Sequence, residues 1–165
     1  MATTIAIVSD THMPKGKREL PDLCVEICRE SDLIIHAGDF MEVPVLEMFK
    51  RFGPPVVAVH GNVDSRGLRQ DLPESQVVEV ETVRIAVIHD AGARKGRNNR
   101  MRTRFSEADA VIFGHSHIPL HEEADGFQIF NPGSPTERRR SPFKSMARAV
   151  VDGSKLTFEL IDLGI

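Results

Sequence analysis

Seven side chains able to hold a divalent cation recur along the chain: Asp10, His12, Asp39, Asn62, His89, His115 and His117. They fall into short groups, Asp10-Thr11-His12, Gly38-Asp39, Gly61-Asn62-Val63-Asp64, His89-Asp90 and Gly114-His115-Ser116-His117. A mixture of imidazole and carboxylate suits Mn²⁺, Fe²⁺, Zn²⁺ or Ni²⁺ better than Ca²⁺ or Mg²⁺. Seven donors are too many for one ion unless a ligand is shared. A shared carboxylate makes a two-ion centre, with ions ~3.5–4 Å apart, the kind that activates water against phosphate esters. Asp39 lies between the two halves of the set and is the expected bridge. Taken singly, an Asp-x-His or a Gly-Asp is a turn or a satisfied core residue in many chains. Gly114-His115-Ser116-His117 says more, because two imidazoles flanking one residue can face two adjacent ions. The full ordered set is what resists a purely structural explanation.

Each group follows a short apolar run, at residues 4–8, 33–37, 56–60, 85–88 and 110–113, and a further run covers 127–130. Such runs, bounded by turn residues, predict strands buried on both faces. Helical spacing of apolar residues predicts helices over 20–30, 43–52 and 97–106. Strand–helix alternation indicates an α/β fold with parallel strands. Ligands bind such sheets outside the carboxyl ends of the strands, so the donors should meet where those ends lie side by side. Segments 76–81, 146–152 and 155–162 mix apolar and polar residues as half-exposed strands do. Asp152-Gly153 between the last two is a hairpin signal. The expectation is two sheets packed face to face with helices outside, in a single domain spanning 1–165.

The 165 residues are 41% hydrophobic and 27% charged, an ordinary globular composition. There is no Trp or Tyr, so the core must be aliphatic plus nine Phe. A net charge of −3 argues against nucleic-acid binding through overall charge. No apolar run approaches the ~20 residues of a membrane span, and the first residues lack a signal-peptide pattern, so a cytoplasmic protein without a membrane partner is expected. Cys24 and Cys28 sit four apart in a predicted helix and read as core thiols. Arg94, Lys95, Arg97, Arg100, Arg102 and Arg104 form a run without an acid. Most charge runs are solvated helix faces. This one follows His89, however, and Arg97, Arg100 and Arg104 share a helical face that would attract polyanions. Arg97 and Arg100 are therefore candidate substrate contacts, with Arg138, Arg139 and Arg140 able to add to them. Nucleotide-like substrates fit such a surface. Nucleic acid stays open as a partner, although the run offers no aromatic platform for reading single strands.

The order Asp-x-His, Gly-Asp, Gly-Asn-x-Asp, His, Gly-His-x-His resembles the calcineurin-like metallophosphoesterase superfamily. The chain length and Asn131-Pro132-Gly133-Ser134 resemble its small bacterial and archaeal phosphodiesterase branch. The resemblance implies a four-layer α-β-β-α sandwich of two mixed sheets and two divalent ions, Mn²⁺ first among them. It implies that Asp10, His12, Asp39 and His117 hold one ion, and that Asp39, Asn62, His89 and His115 hold the other. Asp39, Asn62 and His89 would then be catalytic, with Asn62 also touching the substrate phosphate. Hydroxide held between the ions would attack the ester in line. Larger members carry His after Gly-Asn, where this chain has Val63. Losing that acid disfavours poor leaving groups and tilts the expectation from phosphomonoesters, the nucleotidase alternative, towards phosphodiesters. Relatives commonly read His-Gly-His where this chain reads His89-Asp90-Ala91-Gly92, so a substrate contact is missing and Asp90 is either an imidazole partner or a turn residue. His36 and His60 read as structural and His121 as exposed. A non-catalytic scaffold on the same fold is the other alternative, weakened by the retention of all seven donors. Relatives also suggest a homo-oligomer.

Overall fold

The computed structural model describes residues 2–165. Ten strands and four helices follow in the order β1 (Thr3–Val8), α1 (Asp22–Glu30), β2 (Leu33–His36), α2 (Val43–Lys50), β3 (Val56–Ala58), α3 (Arg66–Asp71), β4 (Ser75–Val80), β5 (Val83–Ile88), α4 (Arg97–Arg104), β6 (Ala110–Ile112), β7 (Leu120–Ala124), β8 (Phe127–Asn131), β9 (Lys144–Asp152) and β10 (Lys155–Gly164). They form two five-stranded sheets, ordered β10-β9-β1-β2-β3 and β4-β5-β6-β8-β7. Strands β1, β2 and β3 run parallel, as do β5, β6 and β8, while the outer strands are antiparallel, so both sheets are mixed.

The two-residue period of a strand sends alternate side chains to opposite faces, and both faces here are covered. Ile5 and Ile7 of β1 join Ile35, Ile85, Val87, Ile112 and Phe130 in a core between the sheets. Their neighbours Ala6 and Val8 face outward, with Ile34 and Met146, and pack under Cys24, Ile27, Leu46, Phe49 and Leu68 from the first three helices. On the far side, Ala86, Ile88, Val111 and Ile129 meet Met101 of α4. The result is the expected four-layer α-β-β-α sandwich. Burying such side chains stabilises by roughly 1.5–3 kcal/mol each before chain entropy is set against it. Cys24 and Cys28 are free and buried. Among the described residues no helix is long and apolar enough to cross a membrane.

Three expectations need correction. The donor-bearing strands do not line one sheet edge: β1, β2 and β3 belong to one sheet and β5 and β6 to the other, so their carboxyl ends meet across the gap between the layers. Helix α3 was not expected, because only Leu68 of its six residues is buried and one apolar position carries no periodicity. Strand β7 was not expected either, because Leu120–Ala124 is mostly polar and exposed, as suits the edge strand it forms.

Candidate metal centre

All seven expected donors belong to loops leaving those five strands, and they converge. Two groups of three have their ligand atoms within 4.8 Å of one another: Asp10, His12 and His117, and Asp39, His89 and His115. Asp39 Oδ2 reaches into both, lying 3.3 Å from His12 Nε2 and 3.0 Å from His89 Nε2. Asn62 Oδ1 lies 3.1 Å from His89 Nε2 and 3.2 Å from His115 Nδ1. Asp10, His12, Asp39, His89 and His117 are buried, whereas Asn62 and His115 are exposed, so the centre opens on the side of the latter two.

Each carboxylate commits one oxygen to the protein and presents the other. Asp10 Oδ2 accepts from Ser9 Oγ at 2.8 Å and from the His115 amide at 3.0 Å. Asp39 Oδ1 accepts from the Val63 amide at 2.9 Å. The imidazoles are oriented in the same way. His89 Nδ1 donates to the Ala37 carbonyl at 2.7 Å, which fixes the tautomer and leaves Nε2 facing the acids. His117 Nδ1 lies 3.2 Å from Glu137 Oε2, and Glu137 is paired to Arg18 at 2.9 Å.

The remaining atoms test whether a cation fits. Asp10 Oδ1, His12 Nε2 and His117 Nε2 are buried without a hydrogen-bond partner, although His117 Nε2 stands 3.4 Å and His12 Nε2 3.8 Å from that oxygen. Leaving a buried polar atom unsatisfied costs about 1–3 kcal/mol. Three such atoms aimed at one another make sense as ligands of a divalent cation, and the nitrogen–oxygen mixture agrees. The residues present therefore fit the ions that the donor set implies.

Electrostatics say the same. Burial by itself would raise the Asp10 and Asp39 carboxyls. The facing imidazoles, His117 and His12 at Asp10 and His12 and His89 at Asp39, outweigh burial and hold both far below the usual carboxylate range. Burial would depress His12, but the facing Asp10 and Asp39 carboxylates push it up to about 9. His89 is raised too, because Asp39 and Asp10 overcome its burial. Without a metal, protons on these imidazoles take the place that a cation would fill.

Backbone geometry carries the cost of convergence. Asp10, His12, Asp39, His115 and His117 have φ of 58°, 45°, 63°, 76° and 63°, in a region that costs non-glycine residues of order 1–3 kcal/mol each. The loops are held there by a latch that the sequence reading did not assign. Asp64 Oδ2 accepts from the Asp39 and Gly61 amides and Oδ1 from the Met41 amide. Ser134 Oγ donates to the Asp10 carbonyl, Thr136 Oγ1 to the Thr11 carbonyl and Asn131 Nδ2 to the Gly114 carbonyl. The signals were present in Gly-Asn-x-Asp and Asn-Pro-Gly-Ser, since short polar side chains there close loops. Gly61 and Gly114 answer a different demand, space: an added Cβ would lie 2.1 Å from Asp39 Oδ1 and 2.0 Å from Ser9 Oγ, respectively.

The other candidates resolve individually. His36 is fully buried, stacked on Phe40 with ring centres 3.5 Å apart, and its Nδ1 accepts from the Gly38 amide. Asp90 Oδ1 accepts from the Gly92 amide, as a turn residue does. His121 is exposed and bonds Gln128. His60 is half-buried and lines a cleft with Asn62, Arg69, Glu74 and His89. Arg97 donates to the Gly92 carbonyl and lies over the Phe113 ring. Arg100 donates to the carbonyls of Ala91, Ala93 and Lys95. The donors of both arginines are thus directed at the loop that follows His89.

Residues 3–154 match the calcineurin-like phosphoesterase superfamily domain. A probable metallophosphoesterase of Methanothermobacter thermautotrophicus is 35% identical over 162 residues, spanning 97% of this chain and 92% of that protein. Phosphodiesterase MJ0936 of Methanocaldococcus jannaschii is 27% identical over 147 residues, covering 78% and 82%. The Thermotoga maritima protein TM1076 superposes with a TM-score of 0.77 at 30% identity, covering 97% of this chain and 99% of that one. Vps29 of Entamoeba histolytica, solved with zinc, superposes at 0.78 with 18% identity over 98% and 99%, a likeness of fold. With its strand order, its donor set and a match along nearly its whole length, the chain belongs to the calcineurin-like phosphoesterase superfamily.

Proposed function

We propose that this chain, acting as one catalytic unit over 1–165, is a phosphodiesterase that uses two divalent cations, Mn²⁺ foremost. The carrying observation is the pair of three-residue donor groups that Asp39 touches in common. Asp10, His12, Asp39 and His117 would hold one cation and Asp39, Asn62, His89 and His115 the other. The chemistry supplied on binding is activation of water near neutral pH and neutralisation of charge on the phosphoryl oxygens.

The chain's own part is placement. Asn62 and His115, on the exposed side, are where a phosphate approaches, and the Asn62 amide donates to a phosphoryl oxygen. The His89 ring is held by Ala37 so that its Nε2 faces Asp39 and Asn62. Val63 is 41% exposed at the same rim and has no proton to give a leaving group. That favours diesters with stable leaving alcohols over simple monoesters. Retention of every donor favours an enzyme over a scaffold.

The test uses chelator-stripped protein, a chromogenic phosphodiester and the matching monoester, with Mn²⁺, Ni²⁺, Zn²⁺ and Mg²⁺ supplied singly. The diester should turn over faster, and Asp39→Ala should lower the rate by about 10³-fold or more. Preference for the monoester would move the reading to a phosphomonoesterase. Folded, metal-loaded protein inert towards both would sink it.

A further inference from the structure

Two clefts flank the open side of the metal centre, and they differ in charge. One is lined by His60, Asn62, Arg69, Glu74, His89 and Asp90, where two acids face one arginine. The other, about 410 Å³, is lined by Ser116, Ile118, Arg139 and Arg140, with no acid in its wall. It adjoins His115, the exposed imidazole of the centre, through Ser116. Arg139 Nη1 lies 3.5 Å from the His115 carbonyl, which sets the guanidinium beside the donor loop. Its Nε is 3.9 Å from Glu137, but that carboxylate is already held by Arg18 and faces His117. Ile118 is 41% exposed on the cleft wall.

Building on the phosphodiesterase reading, we propose that this cleft is a subsite for a second phosphate, carried by a nucleotide-like diester whose scissile phosphate lies at the metal centre. A guanidinium fork pairs with two phosphate oxygens at once, and Ile118 offers an apolar face to the sugar or base between the phosphates. The acids of the opposite cleft repel a second phosphate there, so the substrate is held in one direction. Arg97 and Arg100, which direct their donors into their own loop, do not serve this purpose.

The experiment compares thymidine 3′-(4-nitrophenyl phosphate) with and without a 5′-phosphate on the Mn²⁺-loaded full chain. The bond cleaved is the same in both. The 5′-phosphate should raise kcat/KM by about ten-fold or more, and the double variant Arg139→Ala/Arg140→Ala should bring the ratio close to one. Arg139→Lys should keep part of it, retaining the charge without the fork. A ratio near one in the unaltered protein, or one that the double variant leaves intact, overturns the subsite. If neither diester is cleaved, thymidine 3′,5′-diphosphate is titrated into the Mn²⁺-loaded full chain by calorimetry. Saturable binding that the double variant weakens by about ten-fold or more sustains the subsite while the phosphodiesterase reading falls. Absence of binding overturns the subsite as well.

Discussion

His12 and His36 are both buried imidazoles, yet they are shifted in opposite directions. Against its burial, the facing Asp10 and Asp39 carboxylates raise His12 to about 9, whereas burial lowers His36 to about 3. The consequences for metal-free protein have opposite signs. Where the native state holds a proton that the unfolded chain has released, stability falls as pH rises. His12 therefore contributes fully below about 6.5, and its contribution is lost as pH rises to about 9. His36 contributes above about 6.5 and loses its contribution as pH falls towards 3. Urea unfolding of chelator-treated protein between pH 5 and 9.5 should show the alkaline loss, and His12→Ala should flatten it; an unchanged slope would refute the assignment. Ligating imidazoles must be deprotonated, so metal added at pH 7 in weak buffer should release protons, visible with an indicator dye. Individual roles were only partly legible in the sequence. The seven donors stood out by type and spacing, and His36 by its place inside a strand. Arg97 and Arg100 were read from helical periodicity, which says that two side chains share a face but not that nearby carbonyls will take their donors.

At the scale of elements, the site depends on loops that leave strand ends at unfavourable φ and are held by side chains from elsewhere. Asp64 ties the loops after β2 and β3, and Asn131 at the end of β8 and Ser134 just beyond it tie those after β6 and β1. Gly114 tests how tight the arrangement is. Its φ lies outside the left-handed region, and a Cβ there would stand 2.0 Å from Ser9 Oγ and 2.6 Å from Asp10 Oδ2, so space alone excludes a side chain. Gly114→Ala should fold, lose about 1–3 kcal/mol and lower metal affinity by roughly 10–100-fold, as expected when the support of a ligand is disturbed. Metal content after dialysis against limiting Mn²⁺ would show it, and full loading would contradict it. Strand existence was legible because these strands are apolar on both faces. Their partition between two sheets was not, since a donor after an apolar run marks the end of a strand without saying which layer it joins. Helix α3 was lost for a related reason: Leu68 alone anchors it.

For the whole molecule, the candidate ligands come from two layers, so cation binding would be a property of the interface between them. Asp10, His12, Asp39 and Asn62 follow strands of one sheet, and His89, His115 and His117 follow strands of the other. A ligand bound only by the native state stabilises by about 2.7 kcal/mol at a hundred times its dissociation constant. For a chain of this size that raises Tm by roughly 5–10 °C. Mn²⁺ should produce such a rise in scanning calorimetry and slow amide exchange in β1 and β5 alike, both effects absent from Asp39→Ala; protection confined to one sheet would argue against a shared centre. The pairing of β1 with β9 has a consequence for biosynthesis. Thr3–Val8 leaves the ribosome well before Lys144–Asp152, which is one of its two neighbours. Until that segment emerges, β1 has an open edge, and until Asn131 and Ser134 emerge the Asp10 and Gly114 turns each lack one of their clamps. A nascent chain halted before residue 131 can therefore carry all seven donors while two of the turns that present them are only partly held.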